Sequence, residues 1–156
     1  MERARCYLAV FLAFLLQRCL LVQVEVLGVY PLVLPALLCL LGMVQGPDRG
    51  AECGLFGGIL CWLAGCSPWV LALYPLVGGV SGAVFHHFGG FWGKWLRTAP
   101  VLAGMEVLLI LGHWMAGNRL TAALPVAGAE FLLALACCPL AALIWKVASL
   151  RRSRRF

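Results

Sequence analysis

Acidic side chains are scarce: Asp and Glu together number six in 156 residues. Charged residues of both signs make up 12% of the chain, against about 25% in an ordinary soluble domain. Six acids cannot cover a soluble surface of this size, which argues against a conventional soluble bundle. Nor is there any C-x-x-C spacing, although the chain has eight cysteines. Cys6, Cys19, Cys39, Cys61, Cys137 and Cys138 sit inside apolar runs, where free Cys behaves as a small hydrophobe, so no disulfide framework is expected. A signal-peptide cleavage site is missing too. Arg3 and Arg5 precede an apolar run over residues 6–16, but Gln17 and Arg18 follow with no small-residue site, so the first helix is expected to stay. No nucleophile–base arrangement, phosphate loop or paired acid site appears, and the expectation is a non-enzyme without cofactor. His86 and His87 are adjacent, diverge on a helix and have no Cys or acid at ligand spacing; they read as interfacial histidines, with no metal site.

What the chain has in abundance is apolar surface and glycine. Hydrophobic residues make up 63% of it, and many of its 18 glycines fall between Gly46 and Gly82 among Leu, Val and Trp. In a bilayer small residues let helix backbones approach closely, where water gives no hydrophobic push between helices. Apolar runs fall at residues 7–24, 26–44, 51–65, 68–85, 98–116 and 122–145, and a crossing takes about 20 residues. The expected fold class is all-α. The expected architecture is a polytopic integral membrane protein of about six transmembrane helices, the third short, with residues 1–150 as one transmembrane domain and 151–156 as a basic tail.

Orientation follows from Lys and Arg in the short loops. With the N-terminus inside, the inner segments hold Arg3, Arg5, Arg49, Lys94, Arg97, Lys146, Arg151, Arg152, Arg154 and Arg155, and the outer ones hold only Arg119. Both termini are therefore expected in the cytoplasm. Arg151, Arg152, Arg154 and Arg155 read as an anchor on anionic lipid headgroups. Nucleic acid is not the expected partner, because no basic face or aromatic platform accompanies the tail. Trp69, Trp92, Trp95, Trp114 and Trp145 lie near expected helix ends, as interfacial anchors do. Residues 86–97 are expected along the inner interface.

Two constellations stand out. Gly50, Gly54 and Gly58 recur every four residues and line one stripe of the third helix; Gly78 and Gly82 do the same on the fourth. Such a stripe is a close helix–helix seam, either with a partner protein or within the chain. Arg18, Glu106 and Glu130 are ionisable groups inside expected spans, and such groups usually face protein or a wet cavity. At 1.5 Å per residue, Arg18 and Glu130 come to similar depths, about 16 and 18 Å from the inner boundary of a ~30 Å core, so a pair locking first helix to last is expected. The alternative is a proton or ion relay, with His113 seven residues beyond Glu106 on the same helical face.

These residues together resemble the bacterial rod shape-determining MreD family. The family's core looks like an "RGP" loop, a Gly-rich helix, an "SG-PLG"-like turn and a helix with "LVGYLAG". The counterparts here are Gln45-Gly46-Pro47, residues 50–65, Cys66-Ser67-Pro68 and the run from Leu76 to Gly82. The ending from Pro139 to Phe156 resembles the family's proline-containing helix running into a basic tail. Two family acids are replaced: Trp62 stands where an Asp is common in the Gly-rich helix, and Pro31-Leu32 stands where many members have Pro-Asp. The resemblance implies a membrane scaffold of the cell-elongation machinery guiding lateral peptidoglycan synthesis. Its implied partners are MreC-like, MreB-like and RodA/penicillin-binding-protein subunits. The layout is also similar to the substrate-binding S component of energy-coupling-factor vitamin transporters. In those, small residues of the first helix dock a coupling subunit; Ala9 and Ala13 make one such step here. The outer side would offer a ligand only Glu25, Ser67, Asn118, Arg119 and Thr121.

Overall fold

The computed structural model describes residues 2–23, 30–85, 91–115 and 120–150, and all regular structure among them is helical. The elements are α1 (Glu2–Cys19), a 3-10 turn (Leu21–Gln23), α2 (Val33–Gln45), α3 (Pro47–Leu63), α4 (Val70–Phe85), α5 (Phe91–Met115), α6 (Leu120–Ala136) and α7 (Cys138–Leu150). His86, His87, Glu25, Asn118, Arg119 and the arginines of the tail lie outside the described residues.

The centre of the bundle is α2. A helix that is apolar all round must be buried on every side, and every residue from Val33 to Met43 is. It touches each of the other six helices. It is also shorter than the span expected over residues 26–44. Its 13 residues reach about 20 Å, whereas α3, expected to be the short one, has 17. The proline positions account for both starts. Pro35 falls in the first turn of α2, and Pro47 opens α3 at its first position, where a missing N–H costs nothing. Asp48 in the first turn of α3 meets the positive end of the helix dipole.

Only Gly46 separates α2 from α3. Its φ of 96° and ψ of 171° are open to glycine and hardly to any other residue. Its N–H reaches back to the Gly42 carbonyl at 2.9 Å, and its own carbonyl accepts from Gly50 at 2.9 Å. One residue therefore closes one helix and opens the next.

α5 starts at Phe91, well before the apolar run expected over 98–116, so residues 91–97 are helical. The last expected span is divided at Cys137. Pro139 follows, with no N–H to continue the ladder, yet Cys137 bonds to Leu133 and Ala141 to Cys137, both at 2.9 Å, so the axis runs on. Within the described residues one helical stretch, Leu124–Val147, is long and apolar enough to cross a membrane; Val33–Gln45 and Val70–Phe85 are apolar but shorter.

Outer faces are apolar as well. Phe11 on α1, Leu63 on α3, Val84 on α4, Val107 on α5, Leu132 on α6 and Val147 on α7 are all exposed. Trp69 and Trp114, two of the expected anchors, are exposed too, whereas Trp145 packs partly into the core.

Gly46→Ala is expected to lower stability by about 1–3 kcal/mol, the cost of holding a side chain in that backbone region. Gly128→Ala is the comparison: a Cβ there meets nothing within 4 Å, so a gain of about 0.5–1 kcal/mol from helix propensity is expected instead. Denaturant titration in detergent micelles compares the two.

Candidate functional site

The two glycine stripes face each other. A Cβ at Gly50 would strike the Gly78 carbonyl and come within 2.7 Å of Gly42 Cα; one at Gly78 would lie 2.6 Å from the Gly50 carbonyl carbon. Four residues along, a Cβ at Gly54 would lie 2.6 Å from the Tyr74 carbonyl carbon and 2.7 Å from Pro75 Cα. Four further, Gly58 faces Val70 and Leu71, 3.1 Å from the Val70 carbonyl oxygen. At the other end Gly82 abuts Pro47, 2.6 Å from its Cα. The helices run antiparallel in a register that advances four residues on α3 for four retreating on α4, so small residues meet backbone at every turn. Gly50, Gly54, Gly58, Gly78 and Gly82 are all buried by this chain itself. Their faces are filled from within, and they offer no seam to a partner.

Two members of the seam do not belong to either stripe. Gly42, on α2, faces Gly78, Ser81 and Gly82, where a Cβ would come within 3.0 Å of the Gly82 nitrogen. Ser81 is completely buried and donates its hydroxyl to the Gly78 carbonyl at 3.0 Å, which satisfies it without another helix. The four-residue step from Gly42 through Gly46 to Gly50 was a readable signal for the first; a single Ser in an apolar run gave none for the second.

α1 supplies the polar fastenings. Tyr7 donates to Glu52 Oε1 of α3 at 2.5 Å, and its ring meets Phe56 edge-on with centroids 5.1 Å apart. The Gln17 side-chain oxygen accepts the Leu34 N–H at 3.0 Å. That N–H is one of the donors a helix start leaves open, and the N-cap residue Leu32 has no side chain able to take it. Arg18 donates to the Ala64 carbonyl and, at 3.5 Å, to the Cys66 sulfur. The expected partner, Glu130, is not among its bonds. The C-terminus of α3 carries outward carbonyls and the negative end of a dipole, and it lies beside Arg18. Ala9 and Ala13, the other small-residue pair, are fully buried in the bundle.

Glu106, on α5, is 5% exposed, and neither carboxylate oxygen has a hydrogen-bond partner. Glu130 on α6 is close enough for its charge to act on it. The structure thus brings the two carboxylates toward each other and takes Arg18 elsewhere. Nearby, α4 and α5 enclose an apolar cleft of about 580 Å³ lined by Leu73, Val77, Val80, Val101, Met105 and Leu108 among others. Trp62 is half exposed at the last turn of α3.

Among the described residues no group of His, Cys, Asp or Glu could hold a metal ion. Comparison with known protein families, curated proteins and solved structures gives no match.

Gly50→Ala is expected to cost at least about 2 kcal/mol, since the obstruction is backbone and cannot swing away. Gly104→Ala, with open space at its Cβ within α5, should raise stability by about 0.5–1 kcal/mol, the gain in helix propensity. Glu106→Leu should raise stability by about 1–3 kcal/mol by removing a buried, unpartnered polar group; unfolding in detergent measures all three.

Proposed function

We propose that the chain is a polytopic membrane protein with both termini in the cytoplasm, acting as a non-enzymatic scaffold subunit of the bacterial cell-elongation machinery. Its place is the plasma membrane, beside the proteins that guide lateral peptidoglycan synthesis. The observation that carries the membrane reading is the distribution of large apolar side chains. They fill the interior around α2 and also stand exposed on α1, α3, α4, α5, α6 and α7. A surface apolar over so many faces suits lipid and partner helices far better than water. The scaffold reading rests on the sequence resemblance to MreD. Its contacts would be with MreC-like, MreB-like and RodA/penicillin-binding-protein subunits, through outward apolar faces, since the glycine seam is used up internally.

The apolar cleft between α4 and α5 favours one second reading, a transporter S component with an apolar ligand. The burial of Ala9 and Ala13 speaks against it, because the small-residue face of α1 is not free to dock a coupling subunit.

Alkaline extraction of native membranes should leave the protein in the pellet; release into the supernatant overturns the membrane reading. Affinity purification of the tagged protein from detergent-solubilised native membranes should then recover an MreC-like protein or a RodA synthase pair. Recovery of a coupling subunit with ATPases would replace the scaffold by the transporter.

A further inference from the structure

The turn that ends α3 brings two thiols together. Gly65, with φ at 88°, donates its N–H to the Trp62 carbonyl at 2.9 Å, and Cys66 donates to the Cys61 carbonyl at 3.0 Å. These two bonds define a Schellman motif, in which the side chains three positions before the cap and two beyond it meet. An apolar pair usually fills those places; here they hold Cys61 and Cys66. With the bond between Cys66 N and Cys61 O at 3.0 Å, ordinary bond lengths keep the two Cα atoms within roughly 7 Å, the limit for a disulfide. The Cys61 thiol interacts with the Cys66 thiol and with the Tyr74 hydroxyl. Cys61 is buried and Cys66 is partly exposed, and the Arg18 guanidinium donates to the Cys66 sulfur at 3.5 Å.

We propose that Cys61 and Cys66 are a reversible thiol–disulfide pair, with a small-molecule disulfide as the oxidant and Arg18 as a positioning residue. The pair stands on the turn geometry and does not depend on the scaffold reading. Cys66, the accessible sulfur, gives up its proton and attacks one sulfur of the oxidant. The oxidant's S–S bond breaks, one thiol leaves, and a mixed disulfide remains on Cys66. Cys61 then gives up its proton and attacks the Cys66 sulfur, expelling the second thiol. Two protein thiols are oxidised to one disulfide and one small disulfide is reduced to two thiols. Arg18 holds positive charge against the sulfur that carries negative charge in the first step. The product would tie the last turn of α3 to the segment leading into α4.

The test uses the reduced full-length protein in detergent micelles, exposed to glutathione disulfide, quenched with an alkylating maleimide, digested and mapped by mass spectrometry. Cys61 and Cys66 should be found joined, with the link removed by dithiothreitol. Cys61→Ser should leave glutathione held on Cys66, and Arg18→Gln should slow loss of the free Cys66 thiol about tenfold. Alkylation of both thiols in the wild type after glutathione disulfide treatment, glutathione left on wild-type Cys66, or a link from Cys66 to another cysteine would each overturn the proposal.

Discussion

The approach of α3 to α4 along bare backbone is the contact on which the remaining architecture depends. Where Gly50 meets Gly78 no side chain separates the helices, and Gly42 of α2 arrives at the same point. Three helices thus converge where any one Cβ would hold them apart. Close approach maximises dispersion contact between the backbones. The central helix is fixed by the same point. α2 can be apolar all round only because α3 and α4 close over it, with the one-residue corner at Gly46 setting where α3 begins.

Polar groups have a different task. In an interior without water each open backbone donor or acceptor is costly, and α1 answers two of them on other helices. Its neighbouring residues Gln17 and Arg18 have opposite hydrogen-bonding character. One accepts from the start of α2, and the other donates to the end of α3. Antiparallel helices place a beginning and an end side by side, so an acceptor next to a donor is what that edge of the bundle requires. Among the described residues Glu106 departs from this pattern with both of its oxygens. Its unpartnered oxygens and its nearness to Glu130 are not what a structural core selects.

Much of this was legible in the sequence, in parts. The all-helical class followed from apolar runs longer than strands, and the stripes of Gly50, Gly54 and Gly58 and of Gly78 and Gly82 followed from their spacing. That the two stripes pack on each other did not, because spacing reveals a face without naming what covers it. The Arg18–Glu130 pair failed for a related reason. Depth along a helix is one coordinate, and the direction around the axis decides which neighbour a side chain reaches. The start of α5 was missed because Lys94 and Arg97 interrupt hydropathy, although both residues favour helix. The start of α2 was misplaced because residues 30–32 are as apolar as the run that follows, yet the helix begins only at Val33.

The fastenings of α1 also order events in time. Tyr7, Gln17 and Arg18 reach partners that lie 45, 17 and 46 positions away in the chain. During synthesis α1 is complete long before Glu52 and Ala64 exist. The Arg18 guanidinium waits, without the carbonyl that receives it, until the whole of α3 has been made. The first helix is therefore held at first by α2 alone, through Gln17 and Leu34, and its seat at the end of α3 is built afterwards.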